Sequence, residues 1–110
     1  MDKAKVKDLI DEFEAEVNNG GFDQYFYNSA GDGTAETIQA LEAIGALHMA
    51  DILRRAAAMF PGGMPPKERF DRQHVLLELF REAEAFEVLD NEFYAYPDDL
   101  GALLKKFVAS

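Results

Sequence analysis

The stretch NNGGFDQYFYN, residues 18–28, decides how this chain folds. Its adjacent glycines, Gly20 and Gly21, predict the end of a first helix, because glycine readily adopts the left-handed conformation that terminates helices. Phe22, Tyr25 and Phe26 follow at the i, i+3, i+4 spacing of one helix face. The stretch therefore predicts a helix break, followed by a short second helix or turn that plugs an apolar core.

The amides of the same stretch allow two interpretations. Asn19 and Asn28 lie where side-chain amides can satisfy the backbone groups at helix ends, which would make them structural. Gln24, Tyr27 and Asn28 could instead form an exposed polar and aromatic patch, since aromatic residues are enriched in contact surfaces. The residues alone leave both interpretations open.

On both sides of this stretch, the apolar residues repeat with the period of a helix. The upstream helix ends near Asn18, and its apolar face carries Val6, Leu9, Ile10, Phe13 and Val17. The downstream helix is predicted to begin with Asp32 or Thr34 as its N-cap and to run to about Met59, with Gly45 at a close helix crossing. Its apolar positions are Ile38, Leu41, Ile44, Leu47, Ile52, Leu53 and Ala56.

The second half of the chain predicts further helices. Pro65 and Pro66 can pre-form the first turn of a helix that ends near Leu89, and its apolar positions are Phe70, Leu76, Leu77, Leu79, Phe80, Ala83 and Phe86. Asp90 and Asn91 are predicted to cap a short turn. Asp98 or Asp99 is predicted to cap a last helix with inward residues Leu100, Leu103, Leu104, Phe107 and Val108. The fold class is therefore all-α, with about four main helices and short helical turns.

Length and composition favour one folded domain over residues 1–110. Apolar residues make up 48% of the chain, enough to build one core. The chain contains no cysteine, so neither a disulfide framework nor a thiolate metal site is available. We also find no signal peptide and no apolar run long enough to cross a membrane. These features predict a cytoplasmic location.

The net charge of −10 is divided unevenly along the chain. Residues 8–53 hold ten acidic residues and no Lys or Arg, and residues 82–104 hold seven acidic residues and no base. Bases concentrate between residues 54 and 81. The two acidic segments therefore present an unneutralised field unless the fold brings the basic segment across to them. Direct binding to nucleic acid is disfavoured, because phosphate affinity comes from basic patches.

One set of residues has the spacing of metal ligands. His48 with Asp51, and His74 with Glu78, lie at i, i+3 and i, i+4 spacings, and together they could form a site between two helices of a metal-dependent enzyme. The simpler interpretation places His48 at the edge of the core as a hydrogen-bonded neutral imidazole. The paired Glu-x-x-His pattern of di-iron bundles, a nucleophile elbow and a Walker lysine are all missing. No catalytic residue, metal or other cofactor is therefore expected.

Carboxylates recur at helical spacing on the outer side of the predicted helices. Residues three or four apart on a helix lie roughly 5–6 Å from one another, a spacing comparable in scale to that of phosphates along a nucleic-acid strand. The residues of these acidic faces are Asp8, Asp11, Glu12, Glu16, Glu84 and Glu87. Acidity that merely keeps the protein soluble is the alternative explanation.

The sequence also resembles a known family. The residues that carry the resemblance are Asn19, Gly20, Gly21, Phe22, Gln24, Tyr25 and Asn28, followed by Leu41–Ala46 and Phe60-Pro61. This pattern is similar to that of a family of small bacterial helical domains, largely of unknown function, that includes an acidic DNA-mimic protein. The resemblance implies an all-α fold, a cytoplasmic location, a homodimer as one assembly, and no assigned catalytic residue. In the mimic, the acidic surface binds a DNA-binding protein where that protein would bind DNA.

Charge pattern and resemblance together predict an acidic domain that binds a basic, DNA-binding protein partner. An inhibitor of the immunity or antitoxin type, which would plug the basic cleft of a nuclease, fits the same charge pattern. A metal-binding helical enzyme built on His48, Asp51, His74 and Glu78 is the third hypothesis.

Overall fold

The computed structural model describes residues 1–79 and 85–110, and within these ranges the chain forms α-helices and short 3-10 turns but no strand. The helices are α1 (Lys3–Tyr27), α2 (Thr34–Ala43), α3 (Leu47–Ala57), α4 (Arg69–Leu79), α5 (Glu87–Tyr94) and α6 (Leu100–Ala109), and the 3-10 turns are Ser29–Gly33 and Pro61–Gly63. The prediction of an all-α fold is confirmed. None of the helices in the described ranges combines the length and the apolarity needed to cross a membrane.

α1 is the central element, and it contacts α2, α4, α5 and α6. Its predicted apolar face is confirmed, because these residues are all buried: Val6, Leu9, Ile10, Phe13 and Val17. Phe22, Tyr25 and Phe26, which follow the glycines, are fully buried as well. Phe22 and Phe26 stack at 6.1 Å between ring centroids. Phe13 meets Phe93 of α5 edge to face at 5.4 Å. The helices therefore pack around an aromatic core that both parts of α1 help to build.

Gly20 and Gly21 interrupt α1, as predicted. Gly21 has φ 73° and ψ −171°, a conformation that is essentially confined to glycine. The helix resumes at Phe22, whose backbone N–H donates to Asp90 Oδ1 at 2.8 Å. The prediction that Asp90 caps its own short turn is wrong, because Asp90 lies inside α5 and satisfies the N–H at the restart of α1 instead.

The long helix predicted after residue 33 is in fact two helices, α2 and α3. Gly45 has φ 83° and ends α2 with the bond pair of a Schellman motif, in which Gly45 N–H donates to Glu42 O at 3.0 Å and Ala46 N–H to Leu41 O at 2.9 Å. The expected close helix crossing at Gly45 is wrong, since no atom lies within 4 Å of where its Cβ would be. The new start of α3 also leaves Leu47, predicted to be apolar core, 62% exposed.

The predicted caps are corrected in part. The Asp99 side chain caps α6 by accepting from Ala102 N–H at 3.0 Å, as expected. Asp98 instead accepts from Met49 N–H at 2.8 Å in the first turn of α3. Neither Asp32 nor Thr34 caps α2, because its N-cap is Gly33.

α4 begins later than predicted, and its apolar face differs. The Glu68 carboxylate, not the prolines, organises the first turn, since it accepts from the N–H groups of Phe70 and Asp71 at 2.9 and 3.1 Å. Phe70 and Leu77 are 73% and 63% exposed, which contradicts their assignment to the core, whereas Leu76 is buried. Phe80 and Ala83, predicted on the same helix, lie outside the described residues. On α6, Val108 was predicted to face inward but is 43% exposed.

Candidate acidic partner interface

The acidic row of α1 consists of Asp8, Glu12 and Glu16, which follow one another at steps of four residues. This spacing places the three carboxylates along one flank of the helix. Asp8 and Glu12 are exposed, and Glu16 is half-buried. Within the described ranges, none of these three carboxylates forms an ion pair with a Lys or Arg side chain.

Glu16, at the end of this row, is held by the amides of the glycine-rich stretch. Its Oε2 accepts from Gln24 Nε2 and from Asn28 Nδ2, each at 2.9 Å. Asn19 in turn donates from Nδ2 to Gln24 Oε1 at 3.1 Å. The prediction that the Asn19 and Asn28 side chains satisfy helix-end backbone groups is therefore wrong. These neutral amides fix the position of the Glu16 carboxylate without cancelling its charge.

Sequence spacing could not reveal this contact. Gln24 and Asn28 lie eight and twelve positions after Glu16. Both separations exceed the i+4 spacing of helix neighbours, so a continuous helix would not bring either side chain to Glu16. The kink at Gly20 and Gly21 redirects the chain, and only then can Gln24 and Asn28 reach Glu16. Tyr27, the aromatic residue of the alternative exposed patch, is 46% exposed.

Asp11 differs from the other predicted α1 acids because it forms an ion pair. Lys7 Nζ lies 2.5 Å from Asp11 Oδ2, and both side chains are about half exposed. The hydrogen bond to Asp11, reinforced by its charge, raises the pKa of Lys7 above the ordinary value. The negative charge of Asp11 is thus partly offset.

The fold brings part of the basic segment across to the acidic ones, so the two acidic segments are neutralised in part. The closest pairs are Arg54 with Glu42 at 2.7 Å, Arg55 with Asp51 at 2.9 Å and with Glu92 at 2.6 Å, Lys67 with Glu36 at 3.1 Å, and Arg72 with Asp32 at 2.8 Å. These acids lie on α2, α3, α5 and the 3-10 turn before α2. Arg54, Arg55 and Arg72 are therefore paired with acids outside the acidic row of α1.

Positive charge borders one part of the row. Glu12 lines a groove of about 260 Å³ together with Lys5 and Lys67. Lys67 is already paired with Glu36 across this groove. Two lysines thus lie near Glu12, the central residue of the row.

A second acidic group, which the sequence did not reveal, surrounds the kink of α1. Burial, together with the charge of Asp90, raises the pKa of Asp23. Burial and the charge of Glu87 likewise raise the pKa of Asp90, against the lowering effect of the Phe22 N–H. Glu87 is exposed at the start of α5, whereas Glu84, its predicted companion, lies outside the described residues. Asp23 could not be identified beforehand because its acidic neighbours come from a distant part of the chain.

The four candidate metal ligands are not brought together. His48 Nδ1 lies 3.0 Å from Asp98 Oδ1, and His74 Nε2 lies 3.5 Å from Glu78 Oε1. The His48 side chain is 75% exposed, so its expected place at the core edge is wrong. Across residues 1–79 and 85–110, no three His, Asp or Glu side chains are arranged to hold a metal ion.

Comparison with protein-family models gives a match over nearly the whole chain. A family model described as DMP19-like protein matches residues 3–110, which include every helix described above. No curated protein and no solved structure gives a significant match.

Proposed function

Because the chain belongs to the DMP19-like protein family, we propose that it is an acidic binding domain that occupies the DNA-binding surface of another protein. The acidic row of α1 is the proposed contact, with Glu87 at the start of α5 as a further acidic residue. The partner is a basic, nucleic-acid-binding protein of the cytoplasm. The resemblance to a family that includes an acidic DNA mimic supports this function, and the net charge of −10 argues against direct contact with nucleic acid.

The observation that carries the proposal is that the ion pairs are formed by acids outside the acidic row of α1. Arg54, Arg55, Arg72 and Lys67 pair with acids on α2, α3, α5 and the 3-10 turn. Asp8, Glu12 and Glu16, by contrast, form no ion pair with a Lys or Arg side chain within the described ranges. Successive carboxylates on a helix flank lie roughly 5–6 Å apart. Such a row can replace several phosphates on a basic surface, and its attraction falls as salt rises.

Binding, and not catalysis, is the activity that we propose. Both histidines are exposed, and each contacts a single carboxylate. The groove beside His48 is lined by Asp51, Arg55 and Glu92, whose charges already pair with one another. A substrate that used these charged groups would first have to break the ion pairs of Arg55 with Asp51 and Glu92.

The test begins with capture of binding proteins from the source cell on the immobilised chain, after nuclease treatment of the extract. Each captured protein is then purified and titrated with the chain at low and high salt, with labelled duplex DNA as competitor. Two variants carry the same change in charge: Asp8→Asn with Glu12→Gln on α1, and the control Asp71→Asn with Glu78→Gln on the exposed side of α4. We expect the α1 variant to bind at least about tenfold more weakly at low salt and the control to bind normally.

Three outcomes would overturn the proposal. The captured proteins would not bind DNA, duplex DNA would not compete with the chain, or the α4 control would weaken binding as much as the α1 variant. Capture of a basic nuclease whose activity the chain inhibits, with no competition at a regulator, would favour the nuclease inhibitor instead.

A further inference from the structure

The two basic ends of this acidic chain meet in space. Lys3 Nζ, on the first turn of α1, donates to the backbone oxygens of Val108, at 3.5 Å, and Ser110 at the end of α6. Lys7 and Lys105 then line the same groove between the two helices. A protein with a net charge of −10 therefore has a basic pole on the α1–α6 side.

The groove at this pole, here called the α1–α6 groove, has an apolar floor. It has a volume of about 430 Å³ and is lined by Lys7, Gly101, Leu104, Lys105, Val108 and Ala109. This volume falls within the range of roughly 300–1,000 Å³ that is usual for small-molecule sites. Val108 remains 43% exposed, so the groove presents apolar surface to a ligand.

Positive charge is available at the rim. Lys105 forms no ion pair with any carboxylate in the described ranges, and it is exposed. Lys7 contacts Asp11, but its side chain is 54% exposed. An ammonium group has three N–H donors, so one contact with Asp11 leaves donors for a second anion.

We propose that the α1–α6 groove binds one anionic amphiphile of the fatty-acid class. Its alkyl chain lies along Leu104 and Val108, and its carboxylate lies between the ammonium groups of Lys7 and Lys105. An anionic bilayer is a poorer match, because the net charge of −10 opposes approach to a negatively charged surface. This site adjoins the acidic row of α1, because the charge of Asp8 is one of the causes that raise the pKa of Lys7. It does not depend on the function proposed above.

The test is calorimetric titration of the full chain with monomeric dodecanoate. Octanoate has the same head group and a shorter tail, and dodecanol has the same tail without the charge. Three variants are compared: Lys7→Gln with Lys105→Gln at the rim, Val108→Asp on the floor, and the control Lys106→Gln, which lies on α6 but lines a different groove. Circular dichroism shows whether each variant is folded.

We expect one dodecanoate per chain and an affinity at least about tenfold above that of octanoate, since each buried methylene adds to binding. The rim and floor variants should each bind dodecanoate at least about tenfold more weakly, with Lys106→Gln unchanged. No binding of dodecanoate, equal binding of dodecanol, or equal loss in Lys106→Gln would overturn the proposal. So would flotation with phosphatidylglycerol vesicles in the absence of binding to monomeric dodecanoate.

Discussion

At the scale of single residues, Arg72 is the largest surprise of the structure. Its side chain is fully buried, yet every N–H of the guanidinium finds an acceptor. Nε donates to Phe26 O at 2.6 Å, Nη1 to Pro66 O and Lys67 O, and Nη2 to Asn28 O and Asp32 Oδ1. One side chain thus joins the end of α1, the 3-10 turn before α2 and the loop before α4.

Replacing this residue tests whether the fork of donors is essential. Arg72→Lys keeps the charge but supplies fewer donors and no planar fork, so several buried carbonyl oxygens lose their partner. We expect the free energy of unfolding in urea to fall by about 3 kcal/mol or more. Arg54→Lys is the control, since the pair with Glu42 is about half exposed and its loss should cost less than about 0.5 kcal/mol. Equal losses in the two variants would contradict this assignment.

Two glycines with positive φ form a second comparison at this scale. A Cβ at Gly21 would lie 2.7 Å from Asp90 Oδ2, whereas a Cβ at Gly45 would meet nothing within 4 Å. Gly45→Ala should therefore cost only the strain of a left-handed alanine, about 1–2 kcal/mol. Gly21→Ala adds the collision with Asp90 and should cost about 3 kcal/mol or more. Urea denaturation measures the free energy of unfolding of both variants. A smaller decrease for Gly21→Ala than for Gly45→Ala would contradict the predicted collision with Asp90.

At the scale of helices, α5 completes the interrupted α1. Asp90 caps the restart at Phe22, and Tyr94 donates from its hydroxyl to Val17 O, at 2.8 Å, just before the kink. These contacts satisfy backbone groups that a kinked helix leaves without intrahelical partners. They also bring the Asp90 carboxylate close to that of Asp23, so the two negative charges repel each other beside the kink.

This repulsion predicts a dependence of stability on pH. Burial and the charge of Asp90 raise the folded-state pKa of Asp23 above the ordinary 3.8. As pH falls, Asp23 therefore takes up its proton at a higher pH in the folded protein than in the unfolded chain. Asp23 therefore destabilises the fold at neutral pH, and this effect fades as pH falls through the raised pKa. We expect Asp23→Asn to raise the free energy of unfolding at pH 7 and the gain to shrink towards pH 4.

Urea denaturation of the Asp23→Asn variant and the wild-type chain across this pH range measures the difference. Asp8→Asn is the control, because it changes the net charge by the same amount but removes an exposed carboxylate. It therefore measures the effect of general charge repulsion without the burial of Asp23 or its contact with Asp90. A gain in Asp23→Asn that is no larger than in Asp8→Asn, or that grows as pH falls, would contradict the prediction.

At the scale of the whole molecule, charge is segregated despite the ion pairs. Arg54, Arg55 and Lys67 hold acids on α2, α3 and α5, while lysines from both ends of the chain line the α1–α6 groove. The acidic row of α1 has no ion pair with a Lys or Arg side chain in the described ranges. A net charge of −10 on a chain of this size opposes compaction.

Salt should therefore stabilise the protein. Raising NaCl from about 10 to 300 mM shortens the screening length several-fold, and we expect the melting temperature to rise by about 2–5 °C, the equivalent of up to about 1 kcal/mol. The Asp8→Asn, Glu12→Gln variant should show a smaller rise, because less repulsion remains to be screened. A melting temperature that falls with salt would mean that the ion pairs dominate.

The sequence by itself determined the fold class and the local breaks, because helical periodicity and glycine conformation act over a few residues. The buried face of the first helix, the interruption at Gly20 and Gly21 and the Asp99 cap were predictable on this basis. The break at Gly45 was missed because a glycine within an apolar helical pattern fits either a packed helix or its end.

Only the tertiary structure decided which charges are neutralised and which side chains hold the kink. Arg72 with Asp32, Arg55 with Glu92, and Asp90 with the Phe22 N–H each join residues more than thirty positions apart. Such contacts depend on how helices pack, and no local pattern encodes the packing. The acids were visible in the sequence, but only the structure showed that Arg54, Arg55 and Arg72 pair with acids outside the acidic row of α1.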